Sequence, residues 1–360
     1  MAPETPWDWL AAHAEALDAD ATQAAQVVPR LAGAGLFRLG VPPEAGGEGG
    51  IADAIEAIAR VAGHSLAAAF TFWGQRAFIE YLLQSPNAAL RERWLPSLLD
   101  GTRSGATGLS NAMKFLGGIE ALAIRARTRP DGAGWVLDGA VPWCTNLRAG
   151  NFVVAAAVQR EDGRPPLIVA LPSERAGVLR SDDLDLIALR GSNTAALRID
   201  GAAIDEADLV HADGRQFLPR ARPAFLGLQC GMSIGLARVA LDHAAQRSGA
   251  GREVLEGPIA AQRRALREAT DALLAGVADG RFLARPAELF QLRLALADVA
   301  QRAVQLELQA SGGRAYHRDQ PLAFARHWRE AAFIPIVTPS VTQLQGELLK
   351  HAAAARTAAA

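Results

Sequence analysis

Residues 135–158 read WVLDGAVPWCTNLRAGNFVVAAAV, and the fold that we expect is built outward from this stretch. Apolar, aromatic and β-branched residues dominate three short runs in it, which predict β-strands over 135–137, 141–145 and 152–158. Between the first two runs stands Asp138-Gly139, a dipeptide typical of a tight hairpin turn. The stretch therefore predicts antiparallel β-structure in the middle of the chain.

Helical patterns flank this stretch on both sides. Trp7, Leu10, Ala14 and Leu17 recur at the spacing of one helix face near the N-terminus. Long apolar stripes return beyond residue 223, and turn residues separate several more short strands before that point. We therefore expect three domains: an N-terminal helical domain (1–105), a middle β-domain (106–213) and a C-terminal helical bundle (214–360).

Composition narrows the classes of function. The 360 residues carry a formal net charge of −1, which offers no electrostatic attraction to nucleic acid or to an anionic membrane. No basic segment precedes an apolar run at the N-terminus, and no apolar run reaches the length expected of a membrane span. Cys144 and Cys230 cannot build a disulfide framework, so a reducing cytoplasm is the expected location. The seven histidines lack the spacing of metal ligands, which predicts no metal site.

Three motifs resemble those of the acyl-CoA dehydrogenase family. Trp143-Cys144-Thr145-Asn146 resembles the family's Trp-Ile-Thr-Asn segment, and LFRLGVPPEAGG at 36–47 is similar to its "GLFxLxVPxxxGG" connection. LRGSNTAALRID at 189–200 resembles the family's "LRGSxTxxLxFDD" strand and is the most specific of the three. The resemblance covers nearly the whole chain. For Trp143 alone, a core Trp in an ordinary hairpin is the alternative interpretation.

The resemblance implies an α+β multidomain fold. In it, an N-terminal all-α domain precedes a middle antiparallel β-barrel or sandwich and a C-terminal four-helix bundle. FAD would lie between the middle domain and the bundle, with Trp143 covering the flavin ring and the Thr145 hydroxyl bonding its N5 edge. Thr107 and Ser110 stand in the segment that replaces the family's "TEPxxGSD" loop, which loosens the flavin contacts expected there.

Two C-terminal motifs imply a second subunit. QASGGRAY at 309–316 looks like "QxxGGxGY", in which Gln309, Gly312 and Gly313 would meet the FAD of a partner subunit. The alternative is a helix that simply stops at Gly-Gly. Arg252 lies in a segment that resembles "xRxxFGxPI" and would contact the FAD pyrophosphate across the dimer, although Leu255-Glu256 replaces Phe-Gly. A homodimer or homotetramer follows from this resemblance.

The position of the catalytic base departs from the family pattern. Thr338 stands where the family's Glu in "IYEGT" is expected, and a hydroxyl cannot remove a substrate α-proton at neutral pH. Glu253 is the acidic residue that we assign to this role, by resemblance to the isovaleryl-CoA branch. The alternative for Glu253 is a solvated charge beside Arg252. The activity implied is oxidation of the α,β carbon–carbon bond of an acyl-CoA, with an electron acceptor such as an electron-transfer flavoprotein.

Two further functions stay open at this point. Arg326-His327-Trp328-Arg329 also resembles a branch of flavin-dependent two-component monooxygenases of the dibenzothiophene type, which need no α-proton base. That branch's His in "HDP" falls at Val337 here. The altered motifs are also compatible with a non-catalytic paralogue that binds flavin or acyl thioesters without turnover.

Overall fold

The structure is a computed structural model that describes residues 4–248, 251–317 and 323–359. Helices come first, a β-sheet follows, and helices close the chain, so the predicted α+β order is confirmed. Thr5 caps the first helix, since its hydroxyl accepts a hydrogen bond from the amide of Asp8. The N-terminal helices are α1 (Pro6–Ala19), α2 (Ala24–Gly33), α3 (Ile51–Ala62), α4 (Leu66–Gln84) and α5 (Ala88–Leu99).

The middle of the chain forms one eight-stranded sheet. Its strands are β1 (Ser104–Thr107), β2 (Ile124–Thr128), β3 (Trp135–Cys144), β4 (Phe152–Arg160), β5 (Leu167–Pro172), β6 (Val178–Asp183), β7 (Ala195–Ile204) and β8 (Leu209–His211). They pair in the order β6-β7-β3-β2-β4-β5-β8, and β1 also pairs with β4. Both β1 and β2 run parallel to β4, whereas the other pairs are antiparallel. The sheet is therefore mixed, and its apolar inner face forms a core of its own.

The hairpin predicted at Asp138-Gly139 is wrong. Strand β3 runs without interruption through both residues and pairs with β2 on one side and β7 on the other. Gly139 has φ +150°, and the register of the β3–β7 pair shifts between Leu137 and Asp138. A Cβ at Gly139 would lie 2.4 Å from the carbonyl oxygen of Ala123. The glycine thus serves a bulge and a close backbone approach inside a strand.

Other differences lie in the middle of the chain and just after it. The sequence pattern also predicts a strand over 185–189, which is not formed, while β8 and a short helix, α6 (Ser110–Leu116), were not predicted. Helix α7 (Gly214–Arg247) begins well before the apolar stripe that indicates it. Asp213 starts the helix by accepting hydrogen bonds from two amides of the first turn, and the helix then continues through two prolines.

Helix α7 is the central element of the C-terminal part. It packs against α3, α4, α8 (Glu256–Ala278) and α9 (Pro286–Ser311), and α10 (Phe324–Phe333) and α11 (Val341–Ala359) complete this part. Contrary to expectation, α7 has the length and hydropathy of a membrane-spanning helix. However, 83% of its most apolar window is buried within the protein, as in the core helix of a globular domain.

Glycines on α7 let it approach α3 closely. A Cβ at Gly235 would lie 2.0 Å from the carbonyl oxygen of Ala59, and one at Gly231 would lie 2.8 Å from that of Ile55. Both obstacles are backbone atoms, which cannot turn aside as a flexible side chain can. The N-terminal helices and the C-terminal bundle therefore meet through contacts that tolerate no side chain at these positions.

A buried charge cluster joins α7, α9 and α10. Glu307 on α9 is fully buried, and its two carboxylate oxygens accept hydrogen bonds from Nδ1 of His243 and Nδ1 of His327, both at 2.8 Å. Nη1 of Arg247 donates a third bond to the same carboxylate at 3.1 Å. Burial raises the pKa of Glu307, but the bonds from His243 and His327 outweigh burial and lower it to about 2.

We predict that Gly235→Ala destabilises the protein by about 2 kcal/mol or more, because the added methyl group clashes with the α3 backbone. Gly257→Ala in the first turn of α8 is the matched control, since nothing lies within 4 Å of a Cβ there. Both substitutions gain the helix propensity of alanine. Thermal unfolding should show a lower midpoint for Gly235→Ala alone, and equal midpoints would contradict the close approach of α7 to α3.

The Glu307 cluster predicts a specific pH dependence. A carboxylate with a lowered pKa stabilises the fold fully above its unfolded pKa, near 4.3, and loses this contribution as the pH falls towards 2. The difference in unfolding midpoint between wild type and Glu307→Gln should therefore be largest above about pH 5 and should shrink towards pH 2. The exposed Glu268→Gln on α8 serves as the control. A difference that is independent of pH would contradict the assignment.

Candidate active site

A pocket of about 390 Å³ lies where the first helices, the sheet and the C-terminal helices meet. Its walls come from α4, the end of β1, α6, the end of β3 and the segment that follows α10. Most of these wall side chains are apolar, and a few polar groups converge among them, as in typical sites for organic ligands. The lining residues are Phe70, Trp73, Thr107, Ser110, Asn111, Lys114, Glu120, Ala123, Val141, Pro142, Trp143, Cys144, Thr145, Phe333, Ile336, Val337 and Thr338.

Trp143 presents an aromatic face to this pocket. It stands near the end of β3 and keeps 40% of its surface exposed, although β3 lies in the middle of the sheet. An exposed indole at a concave wall is suited to stack on another flat ring. The next residue, Cys144, is buried, and burial raises the pKa of its thiol well above the ordinary value. Cys144 therefore fills space as a neutral thiol.

The turn after β3 is held by segment 189–200, another motif of the resemblance. The carbonyl oxygen of Ser192 accepts hydrogen bonds from the Thr145 hydroxyl at 3.1 Å and from the Asn146 amide at 3.0 Å. Asn146 has φ +61°, a left-handed conformation that this pair of contacts maintains. The segment 189–200 thus packs directly against Trp143-Cys144-Thr145-Asn146. Two motifs that are far apart in sequence support one wall of the pocket.

Gln75 on α4 is a supporting residue that sequence reasoning missed. Its side-chain oxygen accepts hydrogen bonds from the Gly105 amide at 2.6 Å and from Nδ2 of Asn146 at 2.9 Å. Its amide nitrogen donates to the carbonyl oxygens of Leu98 and Arg103. Gln75 therefore ties α4 to β1 and to the turn after β3, all inside the core. The one sequence feature that could have indicated Gln75 is its place as a polar residue among the aromatic residues of α4.

The other predicted pocket residues follow β1. Thr107 is buried and exchanges a 2.9 Å hydrogen bond with the hydroxyl of Tyr81, whose pKa is raised by burial. Ser110 opens α6. Glu120, also missed from the sequence, lies at the exposed edge of the pocket, and its carboxylate accepts bonds from Nδ2 of Asn111 at 2.7 Å and Nζ of Lys114 at 3.3 Å. Thr107, Ser110, Trp143 and Thr145 are thus brought together, as the resemblance implied.

The remaining predicted cofactor residues form a separate group at the end of α9. Arg252 donates hydrogen bonds to the carbonyl oxygens of Ala310 and Arg247, and its guanidinium lies 3.0 Å from where a Cβ of Gly312 would stand. Gly312 has φ +61°, and Gln309 and Gly313 are exposed beside it. None of these four residues lines the pocket. One chain therefore carries two distinct clusters of predicted cofactor residues.

The structure places Glu253, the predicted base, away from the pocket. Glu253 is exposed next to Arg252 and does not line the pocket. Hydrogen bonds from its own amide and from the Gly251 amide lower the pKa of its carboxyl, whereas a general base needs a raised one. Thr338, in contrast, does line the pocket. The wall at the predicted position of the base therefore offers a hydroxyl.

The fold also brings together residues that looked scattered in the sequence. His243, Glu307 and His327 place three potential metal-ligand atoms within 4.8 Å of one another. The Glu307 carboxylate, however, already accepts three hydrogen bonds, one of them from Arg247, and Nη2 of Arg326 lies 3.3 Å from Nε2 of His327. Two guanidinium groups beside the cluster disfavour a cation. We assign the cluster to helix packing.

Residues 8–102 match the family model described as "Acyl-CoA dehydrogenase, N-terminal domain". A probable acyl-CoA dehydrogenase of Bacillus subtilis, YngJ, is 28% identical over 249 residues, which cover 65% of this chain and 62% of that protein. The human mitochondrial short-chain specific acyl-CoA dehydrogenase is 26% identical over 225 residues, which cover 60% of this chain and 53% of that protein. The matched stretches thus span a little over half of the length of these relatives.

Solved structures share the fold over nearly the whole chain. Butyryl-CoA dehydrogenase from Megasphaera elsdenii has a TM-score of 0.79 at 19% identity, covering 96% of this chain and 95% of that one. An acyl-CoA dehydrogenase complexed with FAD from Bacillus anthracis has 0.75 at 18%, covering 96% and 64%. Dibenzothiophene monooxygenase (TdsC) from a Paenibacillus has 0.71 at 18%, covering 95% of both chains. The chain is thus similar to acyl-CoA dehydrogenases in the sequence of its N-terminal domain, and it shares their fold over nearly its whole length.

Proposed function

We propose that this protein is an FAD-dependent oxidoreductase that oxidises the α,β carbon–carbon bond of an acyl-CoA or a related acyl thioester. The observation that carries the proposal is the partly exposed indole of Trp143 at the wall of a mainly apolar pocket. Homology to acyl-CoA dehydrogenases and the FAD complex of one structural neighbour support it. An electron acceptor such as an electron-transfer flavoprotein completes the proposed reaction.

The residues present fit FAD. The indole of Trp143 suits a flat isoalloxazine ring, and Thr107 and Thr145 line the same pocket with their hydroxyls bonded to Tyr81 and to the Ser192 carbonyl oxygen. At the second cluster, Arg252 offers a guanidinium for phosphate, and the missing Cβ of Gly312 leaves room for that guanidinium. When bound, FAD supplies an acceptor for two electrons. The chain's own residues bind and orient it.

The reaction also needs a group that accepts the substrate α-proton. Among the described residues that line the pocket, Glu120 provides the one carboxylate. Asn111 and Lys114 hold this carboxylate at the edge of the pocket through the bonds given above. We therefore propose Glu120 as the proton acceptor in place of Glu253.

A two-component flavin monooxygenase is the second candidate function. Such an enzyme needs no α-proton base, and Thr338, without a carboxylate, forms part of the pocket wall. A dibenzothiophene monooxygenase shares the fold of this chain. Purified protein discriminates between the candidates, because a dehydrogenase keeps oxidised FAD, whereas a two-component monooxygenase takes up reduced flavin from solution.

We predict that Glu120→Gln slows the anaerobic bleaching of bound FAD by saturated acyl-CoA at least 100-fold, on the order of the contribution of a general base. The FAD content should stay that of wild type. Glu161→Gln is the control, since Glu161 is exposed in the turn after β4. The measurement is stopped-flow absorbance with acyl-CoAs of several chain lengths.

Each outcome of this experiment decides between functions. Wild-type rates in Glu120→Gln would remove Glu120 from the mechanism. A wild-type protein that no acyl-CoA bleaches, but that binds reduced flavin, would favour the monooxygenase. A protein that binds flavin in neither redox state would contradict both candidates and leave a non-catalytic paralogue.

We also propose a homodimer or a dimer of such dimers, in which Arg252 and Gly312 of one subunit serve the FAD in the pocket of the other. Support comes from their separation from the pocket within one chain. Trp143→Ala and Arg252→Ala should each lower FAD occupancy, whereas Trp328→Ala, which removes another exposed tryptophan on α10, should not.

Co-expression of the two defective variants tests the shared site. In a mixed dimer, one site carries both defects and the other carries none, so random mixing should restore about a quarter of all sites. FAD content of the purified mixture is the measurement. If both groups served the FAD of their own chain, co-expression would restore no intact site. A monodisperse monomer in light scattering would also contradict the proposal.

A further inference from the structure

Arg293 on α9 is a buried cation without a counter-ion. Its side chain is completely inaccessible to solvent, and no carboxylate of the described residues lies near enough to influence its charge. Burial lowers the pKa of its guanidinium, and the Cys230 thiol is the one group that opposes this shift. A buried charge without a counter-ion destabilises the folded state. Arg293 is therefore a poor choice for stability alone.

The hydrogen bonds of Arg293 lead to one segment of the pocket wall. Its Nη2 donates to the carbonyl oxygen of Ile334 at 2.7 Å, and its Nε donates to Oε1 of Gln229 at 2.9 Å. Nε2 of Gln229 then donates to the carbonyl oxygen of Thr338 at 3.0 Å. One guanidinium thus holds the segment at both ends, directly at Ile334 and through the Gln229 amide at Thr338.

The residues between these two ends form the wall itself. Ile336, Val337 and Thr338 line the pocket, and 62% of Ile336 is exposed. The amides of Ile336 and Val337 make only local bonds, both to the carbonyl oxygen of Phe333. Ile334 and Val337 are buried in the main core, and among the described residues Arg293 and Gln229 make the side-chain hydrogen bonds to the backbone carbonyl groups of segment 334–338.

The third guanidinium nitrogen, Nη1, indicates that Arg293 is not placed to make as many hydrogen bonds as possible. Nη1 is buried and has no partner among the described residues. A leucine or methionine at this place would fill the core without that cost. What an aliphatic residue cannot do is donate in two directions to two fixed acceptors, as the planar guanidinium does.

We propose that Arg293 is a positioning residue that, together with Gln229, sets the depth of the pocket wall formed by Ile336, Val337 and Thr338. The identity of the ligand that this wall faces rests on the proposed function, whereas the positioning itself does not. By fixing the Thr338 carbonyl oxygen, the pair determines how close the wall comes to a ring that lies on Trp143. Specificity at this wall is thereby controlled from the centre of the bundle.

Gln229→Glu separates positioning from stability. A carboxylate still accepts from Nε of Arg293, and it supplies the missing counter-ion. It has no proton to donate to the Thr338 carbonyl oxygen, so that tie is lost. The expected result is an unfolding midpoint equal to or above that of wild type, together with a looser wall. A residue with a merely structural role would not combine an undiminished unfolding midpoint with a looser wall.

Hydrogen exchange by mass spectrometry measures the wall without any ligand. In Gln229→Glu, the amides of Ile336 and Val337 should exchange about tenfold faster, as expected for the loss of one buried hydrogen bond. Exchange in the middle of α9 should stay unchanged. Gln305→Glu on the exposed face of α9 is the matched control for the added charge. Gln229→Leu removes the same donor and should also speed exchange, should Gln229→Glu fail to fold.

Ligand binding extends the test to the site. FAD or acyl-CoA should bind Gln229→Glu several-fold more weakly than wild type, and Arg293→Lys should show an intermediate loss. Unchanged exchange at Ile336 and Val337 in both Gln229 variants would overturn the positioning role. If wild type binds no flavin and no acyl-CoA while exchange in the variants is faster, the proposed function fails and the positioning role stands.

Discussion

The close approach of α7 to α3 is the constraint on which the rest of the structure depends. Because Gly231 and Gly235 bring α7 against backbone atoms of α3, the N-terminal helices and the C-terminal bundle form one body. Helix α4, which neighbours both, then carries Phe70 and Trp73 into the same pocket as the end of β3 and the segment after α10. A pocket made from three parts of the chain keeps its shape only if those parts cannot move apart.

Two buried charged residues, Glu307 and Arg293, have different roles in the protein interior. Glu307 is surrounded by donors from α7 and α10, and its pKa is lowered, so the cluster contributes to stability at neutral pH. Within the described residues Arg293 has no anion beside it, and its bonds lead, directly and through Gln229, to the backbone of the pocket wall. Glu307, whose charge is paired, holds helices together, whereas Arg293, whose charge is unpaired, is hydrogen-bonded to the pocket wall. The contrast supports a positioning role for Arg293 and a packing role for Glu307.

Much of the fold and part of the site could be predicted from local patterns. The helical spacing, the run of β-branched residues and the motif around Trp143 are local, and the structure brings Thr107, Ser110, Trp143 and Thr145 to one pocket. The Asp138-Gly139 dipeptide predicts a hairpin where β3 runs on, because a bulge and a tight turn favour the same two residues. Glu253 was assigned from a position in a motif, whereas its exposure and lowered pKa arise from the fold. Gln75, Glu120 and Arg293 act through partners distant in sequence, so no local pattern indicates them.

The central claim is that the pocket beside Trp143 holds the isoalloxazine ring of FAD. A crystal structure of the purified protein with FAD tests it most directly. We expect the ring to stack on the indole of Trp143, with the segment 336–338 on the opposite side and the adenosine end reaching Arg252 and Gly312 of a second subunit. A ring bound elsewhere, or a pocket that stays empty of flavin at saturating FAD, would contradict it.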